Sequence, residues 1–236
     1  MNPLAAPVAD RMSALPDPQP PMTAIAAAPE EAAPAPAPAP PPARKRPRPG
    51  ERRVQILQTL AAMLEEPGAD RITTAALAAR LAVSEAALYR HFASKAQMFE
   101  GLIEFVEGSV FTLVNQVVER EAPAPQQARQ IVLVLLQFGE KNPGMARVMV
   151  GDARVTEPER LSARMNQFFD RVESQLRQCV RRAAEEAGSS TPTVDAQALA
   201  GALVALVIGR LQRFARSGFK RLPTEQVELA LQRLTC

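Results

Sequence analysis

Residues 72–99 read ITTAALAARLAVSEAALYRHFASKAQMF. The stretch alternates capping residues with short apolar runs at helical spacing. Thr73 or Thr74 caps a short helix to about residue 80, with Leu77 and Ala78 turned inward. Leu81, Ala82 and Val83 make a three-residue turn. Ser84 caps a second short helix over 85–91, and Ser94, with Gln97 three residues later, forms a capping box that opens the next helix. Upstream, Val54, Leu57, Leu60, Ala61 and Leu64 give residues 51–66 one apolar face, and Pro67-Gly68 ends that helix. Two short helices joined by a three-residue turn, behind a longer first helix, predict a helix-turn-helix unit over 51–95.

The unit holds the only tyrosine and the only histidine of the chain, Tyr89 and His91, with Arg90 between them and Lys95 four residues on. In a helix-turn-helix the second helix enters the major groove. Ser84, Glu85 and Ala86 then lie at its leading end, and Leu88 faces an apolar centre made with Leu77, Leu81, Val83 and Phe92. The helix starts at Thr73-Thr74 and Ser94-Lys95 suit phosphate oxygens, as do the Tyr89 hydroxyl and His91. Such contacts position a protein on DNA and read few bases. Catalysis is the competing reading. A lone histidine with no partnered nucleophile and no acid nearby builds no triad, and no enzyme site is expected.

Charge follows the same plan. Residues 44–95 carry ten bases against five acids, whereas residues 96–236 carry seventeen against sixteen. Positive charge concentrated on one segment is the electrostatic footprint of a nucleic-acid binder. Before it, residues 1–43 form a Pro/Ala-rich tail expected to be disordered, since its composition cannot bury a core. Arg44, Lys45 and Arg46 open the run RKRPRPGERR, either a solvated charge run or a basic arm over 44–50 that reaches DNA.

Beyond residue 95 the pattern is helical throughout. Helices are expected over 94–120, 126–141 and 143–150, then from the capping box Thr156-Glu157-Pro158-Glu159 to about residue 187, over 194–217, and over 223–234. Nine helices make an all-α chain. Met98, Leu102, Phe105, Val106, Val110, Leu113 and Val117 mark one stripe. Leu161, Met165, Phe168, Val172, Leu176, Cys179 and Ala183 mark another, which makes Cys179 a packing residue. Gly201, Ala205 and Gly209 fall four apart on the eighth helix, a small-residue face for an intrachain contact or a dimer seam. The longest apolar run, 198–209, is shorter than the ~20 residues of a membrane span and reads as buried helix. With two separated cysteines and one histidine, neither a disulfide framework nor a metal site is expected, and a reducing cytoplasm fits.

The segment 72–99, with its Thr-rich helix start, small-residue turn and Leu-Tyr-x-His-Phe-x-x-Lys pattern, resembles the DNA-binding segment of the TetR family. Further blocks narrow the resemblance: LIEFVEGS (102–109), RQIVLVLLQFGEKNPGMARVMVGDA (129–153), RMNQFFDRVESQLRQ (164–178) and RFARSGFKRLPTE (213–225) are similar to a branch of nucleoid occlusion factors. The resemblance implies a TetR-like fold, with a three-helix helix-turn-helix domain over 51–95 and a helical dimerisation and FtsZ-binding domain over 96–236. It implies a cytoplasmic, nucleoid-associated homodimer on a near-palindromic duplex site. That dimer antagonises the division protein FtsZ by holding its C-terminal tail beside the fourth helix, without a cofactor or small-molecule ligand. Carried over by position, DNA contact falls to Thr73, Ser84, Tyr89, Arg90, His91 and Lys95, and FtsZ contact to Phe105, Val134, Lys141 and Asn142. On sequence alone Phe105 and Val134 also suit simple core packing. Leu113 and Gln137 stand where some relatives have arginine and glycine. An ordinary repressor with an inducer pocket is the alternative, though residues 100–236 contain no tryptophan, tyrosine or histidine to line one.

Overall fold

A computed structural model describes residues 50–66, 72–152 and 158–235. The tail, Arg44 to Arg46, the Pro67-Gly68 stop, Thr156-Glu157 and Cys236 lie outside the described residues. Among the described residues there are nine helices and no strand: α1 Glu51–Glu65, α2 Thr74–Arg80, α3 Glu85–Tyr89, α4 Lys95–Glu119, α5 Ala124–Lys141, α6 Pro143–Met149, α7 Pro158–Glu186, α8 Pro192–Arg216 and α9 Val227–Leu234.

The predicted caps of α2, α3 and α4 form. Thr73, rather than Thr74, caps α2: its Oγ1 accepts from the Ala76 amide at 3.1 Å. Ser84 Oγ accepts from the Ala87 amide at 3.3 Å and Ser94 Oγ from the Gln97 amide at 3.2 Å, while Gln97 Oε1 reaches back to the Ala93 amide at 2.7 Å. Helix α3 stops at Tyr89, so His91 lies beyond it rather than on its last turn.

Leu88 is the one buried residue of α3 and is fully enclosed. With Leu77 and Phe92 it fastens a five-residue helix that could not stand alone. Truncating such a leucine to alanine costs about 2–5 kcal/mol. On α1 the buried stripe is Ile56, Leu60, Met63 and Leu64, rotated from the expected one; Val54 is 53% exposed. On α4, Phe99, Ile103 and Val114 join the core, whereas Phe105 and Leu113 drop out of it onto the flank. The α7 stripe from Leu161 to Cys179 is buried as expected.

Helix α6 joins α1 to the larger body. A Cβ on Gly144 would stand 2.3 Å from the Ala61 carbonyl oxygen, so only glycine allows this approach. Arg147 of α6 donates to the Glu66 carbonyl at 3.4 Å and lies 4.9 Å over the Phe219 ring. Helices α4 and α7 are clasped by Arg160–Glu100 at 2.7 Å and by Arg164 against Glu107 at 3.0 Å and Glu104 at 3.5 Å. Both α4 and α8 are long and apolar enough to cross a membrane, but each contributes many buried residues to this core.

Candidate nucleic-acid interface and partner surfaces

The candidate DNA-binding residues from Thr73 to Lys95 are all at the surface. Thr73, Ser84, Glu85, Ala86, Arg90 and His91 are exposed, Tyr89 is 46% exposed, and Thr74 and Lys95 are half-buried. Thr73, Ser84 and Ser94 use a lone pair in their caps, which leaves each hydroxyl proton available to a phosphate oxygen. Thr74 differs: its hydroxyl donates to Glu85 Oε2 at 2.6 Å, tying the start of α2 to the start of α3. The far end of α2 is tied to α1 by Arg80 and Glu66 at 2.5 Å, a hydrogen bond that holds the Glu66 carboxyl below its usual range.

Arg53 is a residue that pattern reading missed as a site residue. Its guanidinium lies 4.2 Å over the Phe92 ring and donates to the His91 carbonyl at 3.1 Å. It fixes the bend that follows α3, and so the placing of His91. Its position in a basic run suggested only charge.

The second set of candidates lies along α4 and α5. Phe105 is 52% exposed, with its ring centroid 6.3 Å from that of Phe138. Core packing is therefore not its role. Val134 is half-buried against the core, and Lys141 is exposed. Asn142 is partly engaged in structure: its Nδ2 donates to the Phe138 carbonyl at 2.8 Å at the α5–α6 joint. Phe105 also borders a groove of about 410 Å³ that runs to α1, lined by Val54, Leu57, Ala61, Leu102 and Met145. Sequence reading missed this groove because it assigned Val54 to the buried face.

On α8, Ala205 is exposed, and among the described residues a Cβ added to Gly201 or Gly209 would meet nothing within 4 Å, so no described helix packs closely on this small-residue face. Beside it Leu222 and Leu229 are 49% and 60% exposed around a concavity of about 940 Å³. A further concavity of about 210 Å³, between α4, α6 and α7, is lined by Phe99, Ile103, Met149, Met165, Phe169 and others, with exposed Ser162 and Asn166 at its edge.

Residues 56–102 match the family model for bacterial regulatory proteins of the tetR family, and residues 126–236 match that for the tetracyclin repressor-like C-terminal domain of SlmA-like type. Among solved structures, FadR from Bacillus subtilis, crystallised with stearoyl-CoA, superposes with a TM-score of 0.64 at 14% identity, covering 77% of this chain and 97% of that one. KstR2 of Mycobacterium tuberculosis gives 0.63 at 18%, covering 79% and 94%. At those identities the likeness shows the fold alone. Nearer in sequence are two proteins named nucleoid occlusion factor SlmA. That of Photobacterium profundum is 49% identical over 178 residues, and that of Vibrio vulnificus 51%; each match covers 75% of this chain and 90% of the relative. With both domains matched in chain order and half of the aligned residues shared, the chain belongs to the SlmA family of nucleoid occlusion factors, within the TetR family of helix-turn-helix DNA-binding proteins.

Proposed function

We propose that the chain acts as a dimer on chromosomal DNA and from there antagonises FtsZ ring assembly by capturing the FtsZ C-terminal tail. The division of labour is that expected from sequence: helix-turn-helix residues over 51–95 on DNA, and residues 96–236 for dimerisation and FtsZ. Thr73, Ser84, Tyr89, Arg90, His91 and Lys95 hold the duplex, with Arg44, Lys45 and Arg46 as a basic arm. The small-residue face of α8 with Leu222 and Leu229 serves as the two-fold seam. Two copies related by that axis place two α3 helices on successive turns of a near-palindrome. The protein is cytoplasmic and sits on the nucleoid.

The observation that carries the FtsZ reading is Phe105. Among the described residues it alone of the phenylalanines is exposed, on a helix most of whose apolar residues are buried. An exposed aromatic on α4, together with an aliphatic residue and the Lys141 cation on α5, suits a peptide with apolar and acidic side chains. The inducer reading has less support, since residues 100–236 hold no tryptophan, tyrosine or histidine to line a pocket.

The test is a titration of a labelled peptide of the FtsZ C-terminal tail into the full-length protein, with and without duplex DNA. Saturable binding that disappears in Phe105→Ala is the expected result. Absence of binding in both conditions returns the chain to the ordinary repressors.

A further inference from the structure

The one acidic residue at the leading end of α3 is oddly placed for a DNA-facing helix. Glu85 occupies the first position of α3 and is exposed. A carboxylate there is repelled by phosphates, which dominate affinity for any duplex. It is also repelled by most of what the major groove presents: guanine N7 and O6, adenine N7 and thymine O4 are all acceptors, and an ionised carboxylate accepts only.

In the structure this side chain is held toward α2. Thr74 Oγ1, from α2, donates to Glu85 Oε2 at 2.6 Å. That bond crosses between the two helices of the unit, fixes the carboxylate, and uses one oxygen. Oε1 has no donor among the described residues. A fixed acceptor at the tip of the recognition helix requires a donor, and the major groove offers two: the N6 amino group of adenine and the N4 amino group of cytosine. Adenine sets its N7 acceptor beside the amino group, an edge suited to an amide side chain that both donates and accepts. Cytosine has a carbon–hydrogen bond on its own side of N4, so no acceptor of the same base opposes the carboxylate, and only the paired guanine O6 stands on the other side.

We infer that Glu85 is a specificity-determining residue that accepts a hydrogen bond from the N4 amino group of a cytosine in each half-site, with Thr74 as the residue that positions it. This rests on the reading of α3 as the helix that enters the major groove.

The experiment is selection of duplexes from a pool with a randomised 20-base-pair core by the full-length protein. Wild type, Glu85→Gln, Glu85→Ala and Thr74→Val are compared. Wild type is expected to enrich a site with one cytosine per half-site that Glu85→Gln exchanges for adenine and Glu85→Ala leaves undefined, the other positions being unchanged. Thr74→Val keeps the cytosine but with a weaker preference. In direct titration, replacing that cytosine lowers wild-type affinity about tenfold and leaves the affinity of Glu85→Ala unchanged. A purely structural role for the Thr74–Glu85 bond predicts otherwise, because glutamine retains an acceptor for Thr74. Enriched sites identical in wild type and Glu85→Gln overturn the inference alone. A wild-type pool with no enriched sequence overturns it together with the recognition-helix reading. Should Glu85→Ala fail to fold, as read by circular dichroism, the isosteric glutamine variant still decides.

Discussion

Ala82 sits in the middle of the turn between α2 and α3 with φ 52, in the left-handed region. A Cβ in that region meets the following carbonyl oxygen and costs roughly 1–2 kcal/mol; glycine removes the clash at the cost of a freer unfolded chain. Ala82→Gly is therefore expected to stabilise the protein by about 0.5–1 kcal/mol, seen as a higher midpoint of thermal unfolding. A lower midpoint would mean that the methyl group packs favourably enough to offset its strain. Tyr89 and Lys95 offer the matching test of the DNA surface. If Lys95 meets a phosphate, Lys95→Ala should flatten the log–log dependence of DNA affinity on salt by about 0.9, whereas Tyr89→Ala, which removes an uncharged donor, should lower affinity and leave the slope as it is. An unchanged slope in Lys95→Ala would assign that side chain to bases or to the fold.

At the scale of the element, glycine on α6 decides more than any charge. Because the Ala61 carbonyl occupies the space a Cβ would need, Gly144→Ala must push α1 away from the body. The expected cost is about 1–3 kcal/mol, typical of overpacking, together with weaker DNA binding because α1 carries the helix-turn-helix. Thermal unfolding and a DNA titration on the same sample would check both; an unchanged variant would show that α1 rides loosely on α6. Such close approaches were not legible in the sequence, where Gly144 is simply the residue after Pro143. What was legible is local. The caps at Thr73, Ser84 and Ser94 form because each is settled within three residues. The α7 stripe was legible because one face of a long helix is buried without interruption. Where elements meet, spacing misleads. Val54 and Phe105 fit a helical stripe yet flank a groove, because helical period alone does not say how wide the buried arc is. Helix α9 begins at Val227 rather than at residue 223 for a tertiary reason. The Arg210 guanidinium takes the Pro223 and Glu225 carbonyls at 3.0 and 2.8 Å, and the Thr224 hydroxyl bonds Glu140.

For the whole molecule the question is what covers α8. Gly201, Ala205 and Gly209 leave a shallow strip that no other described residue covers, and Leu222 and Leu229 stand exposed at its side. Small residues four apart let a second helix approach closely, and the flanking leucines supply apolar area that a lone protomer leaves in water. A two-fold contact uses each such patch twice, so one substitution strikes the interface twice. Ala205→Glu would place two carboxylates against each other across the seam, while in the protomer it points into open surface. The expected outcome is a folded protomer with unchanged helical circular dichroism, half the wild-type mass by light scattering, and DNA affinity reduced to that of a single half-site. Gly201→Ala, whose Cβ meets nothing within 4 Å among the described residues, should weaken the dimer without abolishing it. A variant that stays dimeric would move the seam to another face. A variant that becomes monomeric but keeps full affinity would separate dimerisation from DNA binding, and the near-palindromic site would then lose its physical basis.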